Sequence, residues 1–191
     1  MSVRLRDLAP ADSARLLAWR NRPEVAAHML TDHRIGQAEH DAWFAAIPSR
    51  ADRRYWIIEL DGAPVGLTNL AAIDRSAERC DWAYYLADPA TRGRGVGSCV
   101  QYIVLAHVFE AMGFHKVWCE VLAGNDASLR LLEGAGFVRE ATLRDHVVKA
   151  EGRRDVIGLG LLAAEWPAAK ARIAARLTRQ GHDPAALPAA P

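Results

Sequence analysis

The stretch "DPATRGRGVGSCVQYIVLAHVFEAMG", Asp88 to Gly113, constrains this chain more than any other. Three glycines and two arginines, Arg92-Gly93-Arg94-Gly95-Val96-Gly97, stand directly before a long apolar run with helical spacing. A strand ending at Leu86 is closed off by Pro89, and a helix is expected to begin near Gly97. The first-turn N–H groups of a helix have no partners within it, and with the helix dipole they form a ready anion site. Glycine lets the backbone approach an anion closely, and successive N–H groups in a turn can make a concave nest. Glycines alone could be loop punctuation. Two arginines at a helix N-terminus are unfavourable unless an anion offsets them, so the loop is read as a diphosphate site. It is not a P-loop, because no Gly-Lys-Ser/Thr follows. It also fails the dinucleotide pattern GxGxxG, because position 98 is Ser.

The 191 residues suggest one domain with room for a full core. A net charge of +1, with basic residues spread out, gives no electrostatic argument for nucleic acid or a membrane surface. No apolar run is long enough to span a bilayer, and "MSVRLRDLAPADS" has no signal-peptide core. These absences favour the cytoplasm. Cys80, Cys99 and Cys119 are odd in number and far apart, so neither a disulfide framework nor a CxxC zinc site follows. The seven histidines show no HExxH, and no structural or catalytic metal is expected.

Periodicity predicts an opening strand at Val3–Leu8 and a helix over Pro10–Arg20 with Asp12 or Ser13 as N-cap. Two more helices are expected, Glu24–Leu30 after Pro23 and Gln37–Ile47. "YWIIEL", an Asp61-Gly62 turn and "APVGLTNLAAID" read as a hairpin. Strands at Cys80–Leu86 and "HKVWCEVL" flank the long helix. Asn125 or Asp126 can cap a helix ending near Gly136. Phe137–Lys149 and Arg154–Leu162 read as a final hairpin. A helix to Arg179 follows, and residues 180–191, rich in Pro and Ala, are expected to be disordered. The order predicts a mixed α/β sheet with helices on its faces.

Arg92-x-x-Gly95-x-Gly97 between a strand and a long helix resembles the acetyl-CoA signature of the GCN5-related N-acetyltransferases. "CEVLAGNDASLRLLEGAGF" resembles that family's next strand and helix, with Asn125 and Gly136-Phe137 in register. The resemblance covers roughly Val3 to Trp166, so residues 1–166 are read as the acetyltransferase domain and 167–179 as an added helix. It implies a mixed, mostly antiparallel seven-stranded sheet, splayed between the fourth and fifth strands, with acetyl-CoA wedged in the gap. The cofactor residues it implies are Leu86, Arg92, Gly93, Arg94, Gly95, Val96, Gly97, Ser98, Asn125 and Ser128. For Asn125, a plain helix cap is an equal reading. A narrower resemblance, carried by "AWRNRPEVAAHML", "HDAWF", "WAYYLADPATRGRGVGS" and "GFVREATLRDHVVKAEGRRDV", is to the N-acetyltransferases of pseudaminic acid biosynthesis. It implies acetylation of the 4-amino group of a UDP-linked amino-dideoxy sugar that later decorates flagellin. The "WRN" segment is shared with ribosomal-protein N-acetyltransferases.

Amine acetylation needs an uncharged amine and hence a base, directly or through water. Backbone N–H groups can hold the carbonyl oxygen as it gains charge. By this resemblance Glu120 is the base; otherwise it faces solvent or pairs with an arginine. The family's usual proton donor for the CoA thiolate is a Tyr at the position held here by Leu132. Tyr84, Tyr85, Ser128 and Cys119 remain as candidates, with Tyr84 taken forward. His33, Trp43, Trp56 and Trp82 are the expected acceptor contacts, although each aromatic alone also suits a core. The expected activity is direct transfer to a nucleotide-sugar amine, with a homodimer left open. Acetylation of a protein α-amine and a CoA-binding module without turnover are the alternatives.

Overall fold

In the computed structural model, which describes residues 1–191, strand β1 (Val3–Asp7) buries Val3 and Leu5 and exposes Arg4 and Asp7. This is the half-buried alternation its sequence predicts. Three helices follow: α1 (Ser13–Arg20), α2 (Pro23–Ala26) and α3 (Gln37–Ala46). Asp12 does not cap α1. Its buried carboxylate instead accepts from Arg6, Arg15 and the Ala9 amide. Helix α2 stops short of the expected Leu30 because the chain turns at His28 and Met29. The Lys149 ammonium takes the carbonyls of Ala26 and Met29, and the former is one that a longer helix would have used.

Strands β2 (Arg54–Leu60) and β3 (Ala63–Asp74) form the expected hairpin. Asp61 and Gly62 both have left-handed φ, 51° and 83°, which suits a two-residue turn between twisted strands. Strand β4 (Arg79–Leu86) leads to the glycine loop and helix α4 (Val96–Ala106), whose last turns loosen into a π segment at His107–Ala111. Strand β5 (Lys116–Leu122), helix α5 (Asp126–Glu133), strands β6 (Val138–Lys149) and β7 (Gly152–Leu162) and helix α6 (Trp166–Arg179) complete the fold. The sheet order is β1-β2-β3-β4-β5-β7-β6, and β4–β5 is the single parallel pair. No helix is long and apolar enough to cross a membrane.

One face of the sheet packs on α4, α5 and α6 through the main core, which includes Trp56, Leu70, Val100, Ile103, Leu159 and Ile173. Each fully buried aliphatic there contributes about 1.5–3 kcal/mol. The other face packs on α1–α3 through a smaller core of Leu16, Trp19, Val25, Tyr55, Ile57 and Leu67. Helices on both faces, seven strands and the mixed sheet agree with the expected architecture.

Residues 180–191 differ from the expectation of disorder. They turn back along the domain: Leu187 and Ala190 pack on the main core, and Arg54 reaches the Pro191 carbonyl. The apolar Leu and Ala side chains, packed on the main core, supply contacts that composition alone does not reveal.

Candidate functional site

Strands β4 and β5 pair at only three positions, Arg79↔Lys116, Cys80↔Val117 and Asp81↔Trp118. Beyond them the two strands part, although β4 stays paired to β3 and β5 to β7. The fork opens a cavity of about 1230 Å³ that reaches both faces of the sheet. Alternation divides its walls. Trp82, Tyr84, Cys119 and Val121 face the α4 side, and Asp81, Tyr85, Trp118 and Glu120 face the α1–α3 side.

On the α4 side the loop has the conformation its glycines allow. Gly93 and Gly95 take φ values of 73° and 74°, where an L-residue is strained. None of the Gly95, Val96, Gly97 or Ser98 amides donates to an acceptor within the protein. Four free N–H groups at the start of an eleven-residue helix fit an anion, and the chemistry of the donor set suits a diphosphate. Leu86, Arg92, Gly93, Gly95, Val96, Gly97 and Ser98 all line the cavity. Arg94 does not line it. Its guanidinium turns toward Asp61, 3.5 Å away, because the β2–β3 turn offers a carboxylate there. Asn125 caps α5, its Oδ1 accepting from the Ser128 amide at 3.3 Å, and both residues line the cavity. The capping role and a ligand contact are thus compatible.

Tyr84 stands where β4 meets this first turn. A Cβ added at Gly97 would lie 2.8 Å from its hydroxyl oxygen. Its ring stacks on Trp82 at 5.5 Å and 13°, and Trp82 is in turn held by a 2.9 Å bond from Nε1 to Thr68 Oγ1. Burial, reinforced by Cys119, pushes the Tyr84 hydroxyl up to about 12, so it carries its proton at neutral pH. Leu132 is buried and also lines the cavity. Burial raises the Cys119 thiol well above its ordinary range, which makes it a poor nucleophile.

On the α1–α3 side, Glu120 is exposed to the cavity and accepts weakly from Trp118 Nε1 at 3.4 Å. Asp81, which the sequence reading did not single out, faces the same space. Burial first, then the neighbouring Glu120, raises its carboxyl above the ordinary value. The two acids meet because Asp81 is the last β4 residue in register with β5 before the fork. Tyr55 and Asn69 also line this side unforeseen, and Tyr85, one of the candidate proton donors, lines it with them. Trp43 packs edge-on against Tyr55 at 5.5 Å and lines the cavity as expected. His40 lines it too, bonded to Ser13 Oγ at 3.0 Å. Arg20 gives Nη2 to the Thr31 carbonyl and hydroxyl, while its Nη1 is buried without a partner.

Three expected acceptor contacts need correction. Trp56 is fully buried on the opposite face, with its ring edge-on to His107 at 5.4 Å. Alternation along β2 gives the cavity to Tyr55 instead. His33 lies outside the cavity, exposed and bonded to Glu39 at 2.9 Å, because the loop between α2 and α3 turns it outward. Trp82 does line the cavity, but on the α4 side, beneath Tyr84.

A family model described as the acetyltransferase (GNAT) domain matches residues 2–138. The chain belongs to that family, whose cosubstrate is acetyl-CoA. The N-acetyltransferase YjcK of Bacillus subtilis is 30% identical over 87 residues, covering 46% of this chain; the match spans about half of that relative, 48%. An acetyltransferase structure from T. thermophilus has a TM-score of 0.77 at 27% identity, covering 93% of this chain and 94% of its own. The spermidine N-acetyltransferase of Vibrio cholerae, solved with CoA and spermine, has a TM-score of 0.80 at 18% identity, covering 87% and 98%. At that identity the likeness is one of fold.

Proposed function

We propose that this chain is an N-acetyltransferase that moves the acetyl group of acetyl-CoA directly to the amine of a small acceptor. One observation carries the reading: a single cavity through the fork joins free helix-terminal amides on one face to a carboxylate pair on the other. The Gly95–Ser98 amides and Arg92 would hold the diphosphate, and the parted strands would admit the pantetheine arm. Acetyl-CoA supplies the activated acetyl group. Glu120 takes the proton that an ammonium must lose, directly or through water. Asp81 adds negative charge beside it. Tyr84, on the wall of the fork beside Cys119 of the facing strand, keeps a proton for the leaving thiolate. The raised Cys119 thiol argues against an acyl-enzyme.

The finer reading is an amine on a nucleotide-linked sugar, such as the UDP-4-amino-sugar of pseudaminic acid biosynthesis. Aromatic faces from Trp43, Tyr55 and Tyr85 suit a ring, and the unpartnered Nη1 of Arg20 suits a phosphate. The test is CoA release from acetyl-CoA with a UDP-4-amino-sugar, a ribosomal-protein N-terminal peptide and spermidine in parallel, with product mass. Release with the sugar alone supports the finer reading. Release with the peptide or the polyamine alone overturns it and keeps the amine reading. Silence with a broad panel of amines overturns both.

A further inference from the structure

The family match ends at residue 138, yet the diphosphate loop receives a contact from far beyond it. The His182 ring donates from Nε2 to the Arg94 carbonyl at 2.8 Å. The same ring packs on Gly95: a Cβ there would come within 2.7 Å of His182 Nε2 and 2.8 Å of Gln180 Oε1. Gln180 itself lines the cavity.

The position of His182 is fixed from its own side. Helix α6 ends with Gly181 at a left-handed φ of 81°. The His182 amide bonds back to the Leu177 carbonyl at 2.9 Å, and the Gly181 amide to the Thr178 carbonyl at 3.0 Å. That pair of bonds is the Schellman ending, which sets the direction in which the chain leaves a helix. Helix α6 is in turn anchored by buried Ile173 and Leu177 and by Arg176, whose Nη1 reaches the Leu131 carbonyl. The tail's grip on the loop is therefore a built contact between fixed elements.

Its consequence follows from the peptide unit. The Arg94–Gly95 bond is trans, so its C=O and N–H point in opposite directions. A donor holding the Arg94 oxygen from one side aims the Gly95 N–H to the other. The Gly95 N–H is the first of the four amides without a partner in the protein. The peptide turns about Arg94 ψ and Gly95 φ, and Gly95 is a glycine at a left-handed φ of 74°, so the peptide would turn easily if nothing held it.

We propose that His182 is a positioning residue for acetyl-CoA, locking the Arg94–Gly95 peptide so that the loop meets the diphosphate preorganised, with Gln180 beside it at the cavity mouth. This rests on the acetyl-CoA reading of the loop. The test is calorimetric titration of acetyl-CoA and of S-acetylpantetheine, which lacks the diphosphate, into the full-length chain and its variants. His182→Ala should weaken acetyl-CoA about fivefold, the net worth of one hydrogen bond, and leave S-acetylpantetheine unchanged. His182→Gln, which can still donate to the carbonyl, should restore most of the loss. Equal weakening of both ligands would mean a merely structural tail and overturn the proposal. Unchanged binding would overturn it too, and tighter acetyl-CoA binding would make the tail a plug instead. Failure of the unaltered chain to bind acetyl-CoA would sink the cofactor reading itself.

Discussion

Gly158 lies in β7 directly opposite Glu120, and its missing side chain makes room for the Trp118 indole. A Cβ at this position would overlap ring carbons Cζ2 and Cη2, about 1.3 Å inside ordinary carbon–carbon contact. Strand β7 cannot yield, because it is paired to β5 on one side and β6 on the other. The ring can, since it lines the cavity. Gly158→Ala should therefore drive the indole roughly 1 Å into the space beside Glu120. Overpacking of this kind costs about 1–3 kcal/mol, and the half-exposed ring puts the expected cost at the lower end. The effect on turnover should be larger in proportion, because a 1 Å displacement near the reacting groups can cost up to about 100-fold. Steady-state kinetics with both substrates varied should show kcat/KM for the acceptor falling by about 10- to 100-fold. Calorimetry should show acetyl-CoA binding unchanged, because the loop lies on the other face. In a Trp118→Ala background the same substitution should be nearly silent, since the clash has gone. A lowered Tm with unchanged kcat/KM would refute the reasoning, because it would place the indole away from the chemistry. A loss of the same size in both backgrounds would refute it equally.

Glu120→Gln should lower turnover about 10²–10⁴-fold with acetyl-CoA affinity intact, as read by single-turnover kinetics beside calorimetry; full activity would remove Glu120 as the base. Asp81 is held above its ordinary value by burial and by Glu120, so its ionised form opposes folding, and stability declines as pH rises from the unfolded carboxylate value near 4 toward the folded one. Asp81→Asn should accordingly match the parent's Tm in acid and exceed it increasingly as pH rises through that window, a difference that thermal melts across pH would reveal. Trp56→Ala should cost about 3–5 kcal/mol in denaturant unfolding and leave the acceptor KM where it was. Trp43→Ala should raise that KM with a smaller loss of stability, and the reverse pattern would restore Trp56 to the cavity.

What the sequence made legible was local. Periodicity located the strands and most helices, the Asp61-Gly62 turn announced its hairpin, and Asn125 announced its cap. The glycine–arginine loop was legible because positive charge at a helix start calls for an anion. What stayed hidden depends on pairing and on which face a residue takes. Strand β2 is buried on both faces, with Tyr55 at 8% exposure and Trp56 at 0%, so alternation carries no inside–outside signal there. Choosing Trp56 over Tyr55 followed from that. Asp81 meets Glu120 only through the parallel register of β4 and β5, which no window of sequence contains. The path of the tail is hidden because Pro and Ala content says nothing of the turn at Gly181, the residue that lets α6 end and bring His182 back to the loop.

The sheet order also bears on how the molecule comes to exist as it leaves the ribosome. Strand β7 is the last strand of the sheet in chain order, yet it occupies an interior place, joining β5 to β6. Until residue 162 has emerged, β5 has only its three-residue pairing with β4, and one of its edges stays bare. The first four strands can assemble as an antiparallel meander of mostly local contacts. The second half must wait, with Val117, Cys119 and Val121 uncovered, for a distant partner. Synthesis that stalls between β6 and β7 would therefore leave a chain with half a sheet and an adhesive strand, a natural client for chaperones. In this protein the site and the completed sheet arrive together, once β7 has emerged.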